Sequence, residues 1–277
     1  DENSDCIVGG YTAGIDKDDT GLEDKIKNAV SGDIIIIDQD YKYKANPIEI
    51  NKEITINLNS HTIRYAGVET ETCLFSVVQG GSLTIQGNGT IMSTVPGLDS
   101  LIQVKDGGVL NIEGGTFTNT NGIRAVTVNG ATVNMTGGKL TGARQGANGA
   151  GILVLGGGKL QMTGGEISGN TSTTYGGGIR VNKGTAEISG GAVISGNTAK
   201  ISGGGISLSD GELVIDGNAN ISRNTAYSYG GGICSRDIET NTGVVPSGRI
   251  VIQGGEISGN RSTQGGGIYA TDISMCG

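Results

Sequence analysis

At 277 residues the chain is long enough for one or two ordinary domains, yet it carries 53 glycines, no tryptophan and only 2 phenylalanines, which excludes a bulky globular core. A formal charge of -8 excludes a surface built for phosphate backbones, so nucleic acid is not an expected partner. The longest aliphatic run, Ile34 to Ile37, is far too short for a transmembrane segment.

The chain begins at Asp1 rather than Met, as a processed or trimmed product would, and its four cysteines are an even number. Together these predict an exported protein in an oxidising compartment. Asp16, Asp18, Asp19 and Gly21 resemble part of a calcium loop, but the twelfth position that needs glutamate holds Lys27. They read as a solvated acidic turn, and neither metal nor cofactor is expected. Thr20-Gly21-Leu22-Glu23 then has the form of a capping box. Leu22, Ile26, Ala29 and Val30 form one apolar stripe, which predicts a helix over about 21–30, stopped at Ser31-Gly32. Asp33 to Ile37 follows as a buried strand. Residues 1–47 are thus expected to form an N-terminal cap, and 48–277 the remainder of one continuous domain.

From Ile48 onward short segments alternate with period 2, as half-buried strands do. The slot of Ile167 is filled in turn by Ile91, Phe117, Leu140, Ile167, Ile194, Ile221 and Ile257, with steps of 26, 23, 27, 27, 27 and 36. Gly176-Gly177-Gly178-Ile179, Gly203-Gly204-Gly205-Ile206 and Gly230-Gly231-Gly232-Ile233 repeat in the same register. A fixed period of this size means a solenoid whose units bury their apolar faces on one another. Three short strands per turn, such as 159–162, 166–168 and 179–181, predict an all-β parallel β-helix, right-handed by the crossover rule. About nine coils at 4.8 Å would give a rod roughly 40 Å long. The step of 36 places an insertion at 236–247, where solenoids commonly edge a binding surface.

Several columns follow from this register. Asn170, Asn197, Asn224 and Asn260 share one slot and predict a buried, hydrogen-bonded ladder between coils. Thr171, Thr198 and Thr225 run beside them until Arg261 interrupts the column. Tyr175 and Tyr229 share a slot two coils apart, with Tyr227 and Tyr269 close by, and rings spaced in this way suit stacking against sugars. Corner packing is the plainer account of them. The slot after Gly-Gly carries Lys139, Glu166, Ala192, Asn220 and Glu256, so its two glutamates stand too far apart for paired-carboxylate hydrolysis. Glu187, Glu212 and Asp216 read as a solvated face. Cys234 points outward by alternation, so Cys234–Cys276 and Cys6–Cys73 are the expected disulfides.

The capped helix running into Gly32-Asp33-Ile34-Ile35-Ile36-Ile37 and then into short-strand coils resembles the N-terminal cap of the pectin lyase-like right-handed β-helix superfamily, over roughly residues 19–63. The alternating Gly-Gly-Gly-Ile and Ile-Ser-Gly-Asn motifs are similar to those of polymorphic outer-membrane proteins and related bacterial adhesins. A third glycine replaces their alanine, and isoleucine replaces their phenylalanine. That resemblance implies a surface protein. The superfamily's polysaccharide hydrolases carry an Asn-Thr-Asp strand, a Gly-His-Gly turn and an Arg-Ile-Lys strand, none of which occurs here, and the single histidine, His61, lies beside the cap.

The expected function is an exported, non-enzymatic cell-surface module acting in adhesion, in carbohydrate binding or as a rigid stalk, with a glycan or a host or cell-surface protein as partner. The alternative is a polysaccharide lyase or glycoside hydrolase with Arg236, Asp237, Glu239 and Arg249 at the insertion.

Overall fold

The computed structural model of the protein describes residues 21–67, 72–144, 146–240 and 243–275. The acidic turn at 16–19, Thr20 of the capping box, Cys6 and Cys276 lie outside these residues. The period-2 segments stack as parallel strands into three long sheets. Sheet A has ten strands, from Asp33–Ile36 to Ile273–Met275. Sheet B has nine, from Tyr41–Tyr43 to Glu256–Ser258, and sheet C nine, from Ile48–Ile50 to Ile268–Ala270. Because the strands 33–36 and 41–43 already pair with the next coil, stacking begins ahead of residue 48.

The core is a set of columns. In sheet B the register runs Tyr41, Ile63, Ile91, Phe117, Leu140, Ile167, Ile194, Ile221, Ile257. All but the last are buried, and burying each such side chain stabilises by about 1.5–3 kcal/mol. The slot beside it differs from the sequence reading at one coil, where Val193 and not Ala192 stands between Glu166 and Asn220. The Gly190-Gly191-Ala192 turn is one residue longer than the turn at Gly164-Gly165, and Ala192 is buried within it.

Helix α1 (Gly21–Asn28) lies at the N-terminal end and buries Leu22 and Ile26, one turn apart on a single face. It stops two residues earlier than its apolar stripe suggests. The Lys52 ammonium donates to the carbonyls of Lys27 at 2.9 Å and Ala29 at 2.5 Å, and the Val30 amide donates to the Asp33 carboxylate. Gly32, at φ +93°, then turns the chain into sheet A, which leaves Val30 66% exposed. The Asp33–Ile36 strand is likewise one-sided. Ile35 is buried, whereas Ile34 and Ile36 face outward at 60% and 56% exposure.

A fourth, four-stranded sheet D lies between sheets B and C in the later coils: Gly146–Asn148, Thr171–Tyr175, Thr198–Ala199 and Thr225–Ala226. Its buried residues are small, Ser172, Ala199 and Ala226. At the C-terminal end Ile252, Ile257, Ile268 and Ile273 are only partly covered.

Candidate functional site

The chain's special geometry is at the corner between sheets D and C. One column there is Tyr175, Ser202, Tyr229 and Gln264, joined by parallel bridges. The outward column of sheet C is Arg180, Ser207, Cys234 and Tyr269. The link between them passes through Gly203, at φ +67°, where any Cβ would strike the Ile206 carbonyl and the Ser207 Cβ. Only glycine lets the backbone fold this closely over its own outward face. Side chains that alternation directs outward are thereby buried: Arg180 is 5% exposed, and Ser207 and Cys234 are each 1% exposed.

Arg180 donates to the hydroxyls of Ser207 at 2.6 Å and Ser209 at 2.8 Å, and lies over the Tyr175 ring at 5.2 Å. It has no ion-pair partner among the described residues, and burial pulls its guanidinium down to about 10. Arg236 lies over the Tyr229 ring at 4.6 Å, and the Tyr229 and Tyr269 rings meet with centroids 4.9 Å apart. Three of the four sequence-predicted tyrosines are therefore partly buried and engaged at this corner. Tyr227 differs. It is 61% exposed and sits at a shallow cleft of about 290 Å³ lined also by Thr225, Ala226, Arg261, Ser262 and Thr263. The Thr263 hydroxyl donates to the Tyr227 carbonyl at 2.7 Å and fixes the cleft's floor.

The insertion forms an antiparallel hairpin, Ile238–Thr240 with Gly243–Val245. Asp237 accepts the Ser247 amide at 2.7 Å and so closes the hairpin's base. Arg249 turns away to Glu212 of the preceding coil, at 3.0 Å, and Glu239 is exposed. Among the described residues, Arg236, Asp237, Glu239 and Arg249 form no ion pair with one another, and the one hydrogen bond between them runs from Arg236 to the Asp237 carbonyl. Glu166 of the post-glycine slot pairs with Lys139 at 3.0 Å, and bonds from Ser168 and Lys139 hold its carboxyl below the usual range. Among the described residues no three His, Cys, Asp or Glu side chains converge as a metal would require.

The asparagines form a continuous amide ladder. Each Nδ2 donates to the next Oδ1 at 3.0–3.1 Å along Asn170, Asn197, Asn224 and Asn260. The same oxygens accept the backbone amides of Asn170, Asn197 and Asn224. Cys73 and Cys234 are buried free thiols, and burial raises both, Cys73 to about 11. Their expected partners, Cys6 and Cys276, are the ones outside the described residues.

Sequence reasoning missed the burial of Arg180 and the commitment of Arg249 to Glu212. The second was available from register, since Glu212 and Arg249 share a slot on sheet A. The first was hinted at only by the triple glycines. Neither a protein-family model, nor a curated protein, nor a solved structure matches the chain. Its class is defined by its own geometry: a parallel β-solenoid with a helix at its N-terminal end and a glycine corner folded over its outer face.

Proposed function

We propose that the protein is an exported cell-surface module of the pectin lyase-like β-helix kind that holds a glycan on its side without cleaving it. Tyr227 carries this reading. An exposed tyrosine ring just after the Thr225–Ala226 strand suits stacking against a sugar, and the cleft beside it is lined by Thr225, Arg261, Ser262 and Thr263, residues able to hydrogen-bond a glycan. Support against cleavage comes from the insertion itself, where Asp237 is engaged by the Ser247 amide and Arg249 by Glu212, which leaves Glu239 as the one exposed carboxylate of the candidate set without a partner among the described residues. The test is retention on a panel of immobilised host, plant and uronate-rich glycans, with reducing and unsaturated ends assayed alongside. At least one glycan should retain the protein, and Tyr227→Ala should weaken that retention about tenfold without lowering the thermal midpoint. Retention indifferent to Tyr227→Ala would overturn the site, and product release would turn the reading to the lyase or hydrolase alternative.

A further inference from the structure

Charge is not spread evenly over the rod. The chain holds 27 acidic and 19 basic residues, yet the segments 167–182, 193–209, 220–236 and 257–271 contain no aspartate or glutamate. Coil by coil, these segments run from sheet B through the side that bears sheet D to sheet C. Five basic residues lie in them, and two of these, Arg180 and Arg236, are held over the rings of Tyr175 and Tyr229. The other three, Lys200, Arg223 and Arg261, are exposed, and no carboxylate among the described residues pairs with any of them. A protein of net charge -8 thus keeps one side positive.

All three stand around Tyr227. Lys200 occupies the same slot one coil earlier, because Ala199 and Ala226 pair immediately before them, with backbones about 4.8 Å apart. Arg261 stacks on Thr225 in the next coil and lines the cleft beside the ring. Arg223 stands two residues before Thr225, and its Cγ lies 3.7 Å from where a Cβ would sit on Gly259, so its stem lies against the coil that carries Arg261. The repeat supplies an internal reference for the two arginines. The slot of Arg223 is left-handed in four coils, with φ between +56° and +66°, and glycine fills it at 169, 196 and 259. Arginine is held there at a conformational cost that glycine avoids. Arg261 stands where the three preceding coils have Thr171, Thr198 and Thr225. Both departures from the repeat add a positive charge beside the exposed ring, and neither charge is spent on a carboxylate of this chain.

We infer that this side binds a sulfated glycan, an inference that rests on the glycan reading above and gives it a ligand class. Tyr227 stacks on a sugar face, and Arg223 and Arg261 share one sulfate ester of that glycan, with Lys200 on the opposite side of the ring. One bidentate guanidinium fills the two oxygens of a carboxylate. The three terminal oxygens of a sulfate ester accept from two guanidiniums, which suits a pair of arginines better than a uronate does.

The experiment compares retention on an immobilised sulfated galactan, on the same galactan after desulfation and on polygalacturonate, for the parent and for the double variant Arg223→Gly with Arg261→Thr. The double variant restores the residues of the neighbouring coils, so its thermal midpoint should be no lower than that of the parent. Retention on the sulfated galactan should exceed that on the other two about tenfold, fall about tenfold in the double variant, and weaken as salt rises from about 50 to about 200 mM. Retention that depends on Tyr227 but is indifferent to desulfation or to the double variant overturns this inference and leaves the glycan site standing. Sulfate-dependent retention that is lost in the double variant but indifferent to Tyr227→Ala supports the arginine contacts and removes the ring. Stronger retention on polygalacturonate, or equal retention on a single-stranded oligonucleotide of matched charge, also overturns the inference, and retention on no glycan overturns both readings.

Discussion

Replacing Asn197 by alanine isolates what the ladder contributes. Asn197 is fully buried. Its Oδ1 accepts both the backbone amide and the Nδ2 of Asn170 at 3.1 Å, and its Nδ2 donates to the Ile167 carbonyl at 2.9 Å and to the Asn224 oxygen at 3.1 Å. In Asn197→Ala two donors of Asn170 and one interaction of the Ile167 carbonyl lose their partner where water cannot replace it. Buried orphans cost about 1–3 kcal/mol each, so a loss of about 3–6 kcal/mol is expected. Asn260→Ala removes the same chemistry from the partly buried last rung, where solvent reaches the freed groups, and should cost only about 1–2 kcal/mol. Urea unfolding followed by circular dichroism gives the magnitudes, and native-state exchange at the Asn170 amide localises them, which matters because solenoids can unravel by coils. A cost below about 1 kcal/mol for Asn197→Ala, or one no larger than for Asn260→Ala, would refute the view that the ladder is a cooperative buried network.

Gly204→Ala places a Cβ against the Gly231 carbonyl and the Thr225 backbone, neither of which can rotate away, and should lower stability by about 3 kcal/mol in the same assay. Arg180→Met removes a buried charge that has no carboxylate partner among the described residues, so its thermal midpoint at neutral pH should equal or exceed that of the parent. Because burial lowers the Arg180 pKa to about 10, well below that of a free guanidinium, the folded state is penalised while the group is charged. The penalty is relieved as pH rises through 10 towards the pKa of a free guanidinium, so any advantage of the variant should shrink above pH 10. Burial raises the Cys73 pKa from 9.0 to about 11, so the stability it contributes is intact below 9 and is lost as pH rises towards 11. Under native conditions near neutral pH, Cys73 and Cys234 should resist alkylation and react only in denaturant, as read by peptide mass spectrometry.

What could be read from the sequence followed what repeats. The Ile167 column was legible because a 27-residue step in an apolar slot has no other packing solution. The Asn ladder was legible for the same reason. The run Ile34 to Ile37 misled because four consecutive isoleucines have no alternation, and only the structure shows Ile34 and Ile36 facing outward. Sheet D escaped notice because its short strands bury only Ser172, Ala199 and Ala226, which leave no hydrophobic period. Val193 displaced Ala192 because the turn there is one residue longer and takes in Ala192, while Ile194 keeps its place above Ile167. Arg180 was beyond reach: it shares the outward column of Cys234, and its burial depends on a neighbouring corner folding back over it. The tyrosines came together in part, with Tyr229 and Tyr269 in contact, Tyr175 held by Arg180, and Tyr227 free-standing.

The hairpin at 236–247 shows how little the rod depends on constant repeat length. Asn224 and Asn260 are 36 residues apart, yet their amides meet at 3.0 Å, close to the 3.1 Å between Asn197 and Asn224, which are 27 apart. The added segment leaves and re-enters the coil at Ser235 and Gly248, which are tied by hydrogen bonds in both directions at 2.7 and 2.9 Å. That clasp closes the base of the insertion, whose returning end is also tied to the neighbouring coils: the Pro246 carbonyl accepts the Asp210 amide at 2.9 Å and the Ser247 hydroxyl accepts from Thr271 at 2.8 Å. The corner is therefore a natural insertion port, where lineages or protein engineers can exchange loops of different length and composition while the scaffold beneath keeps its spacing.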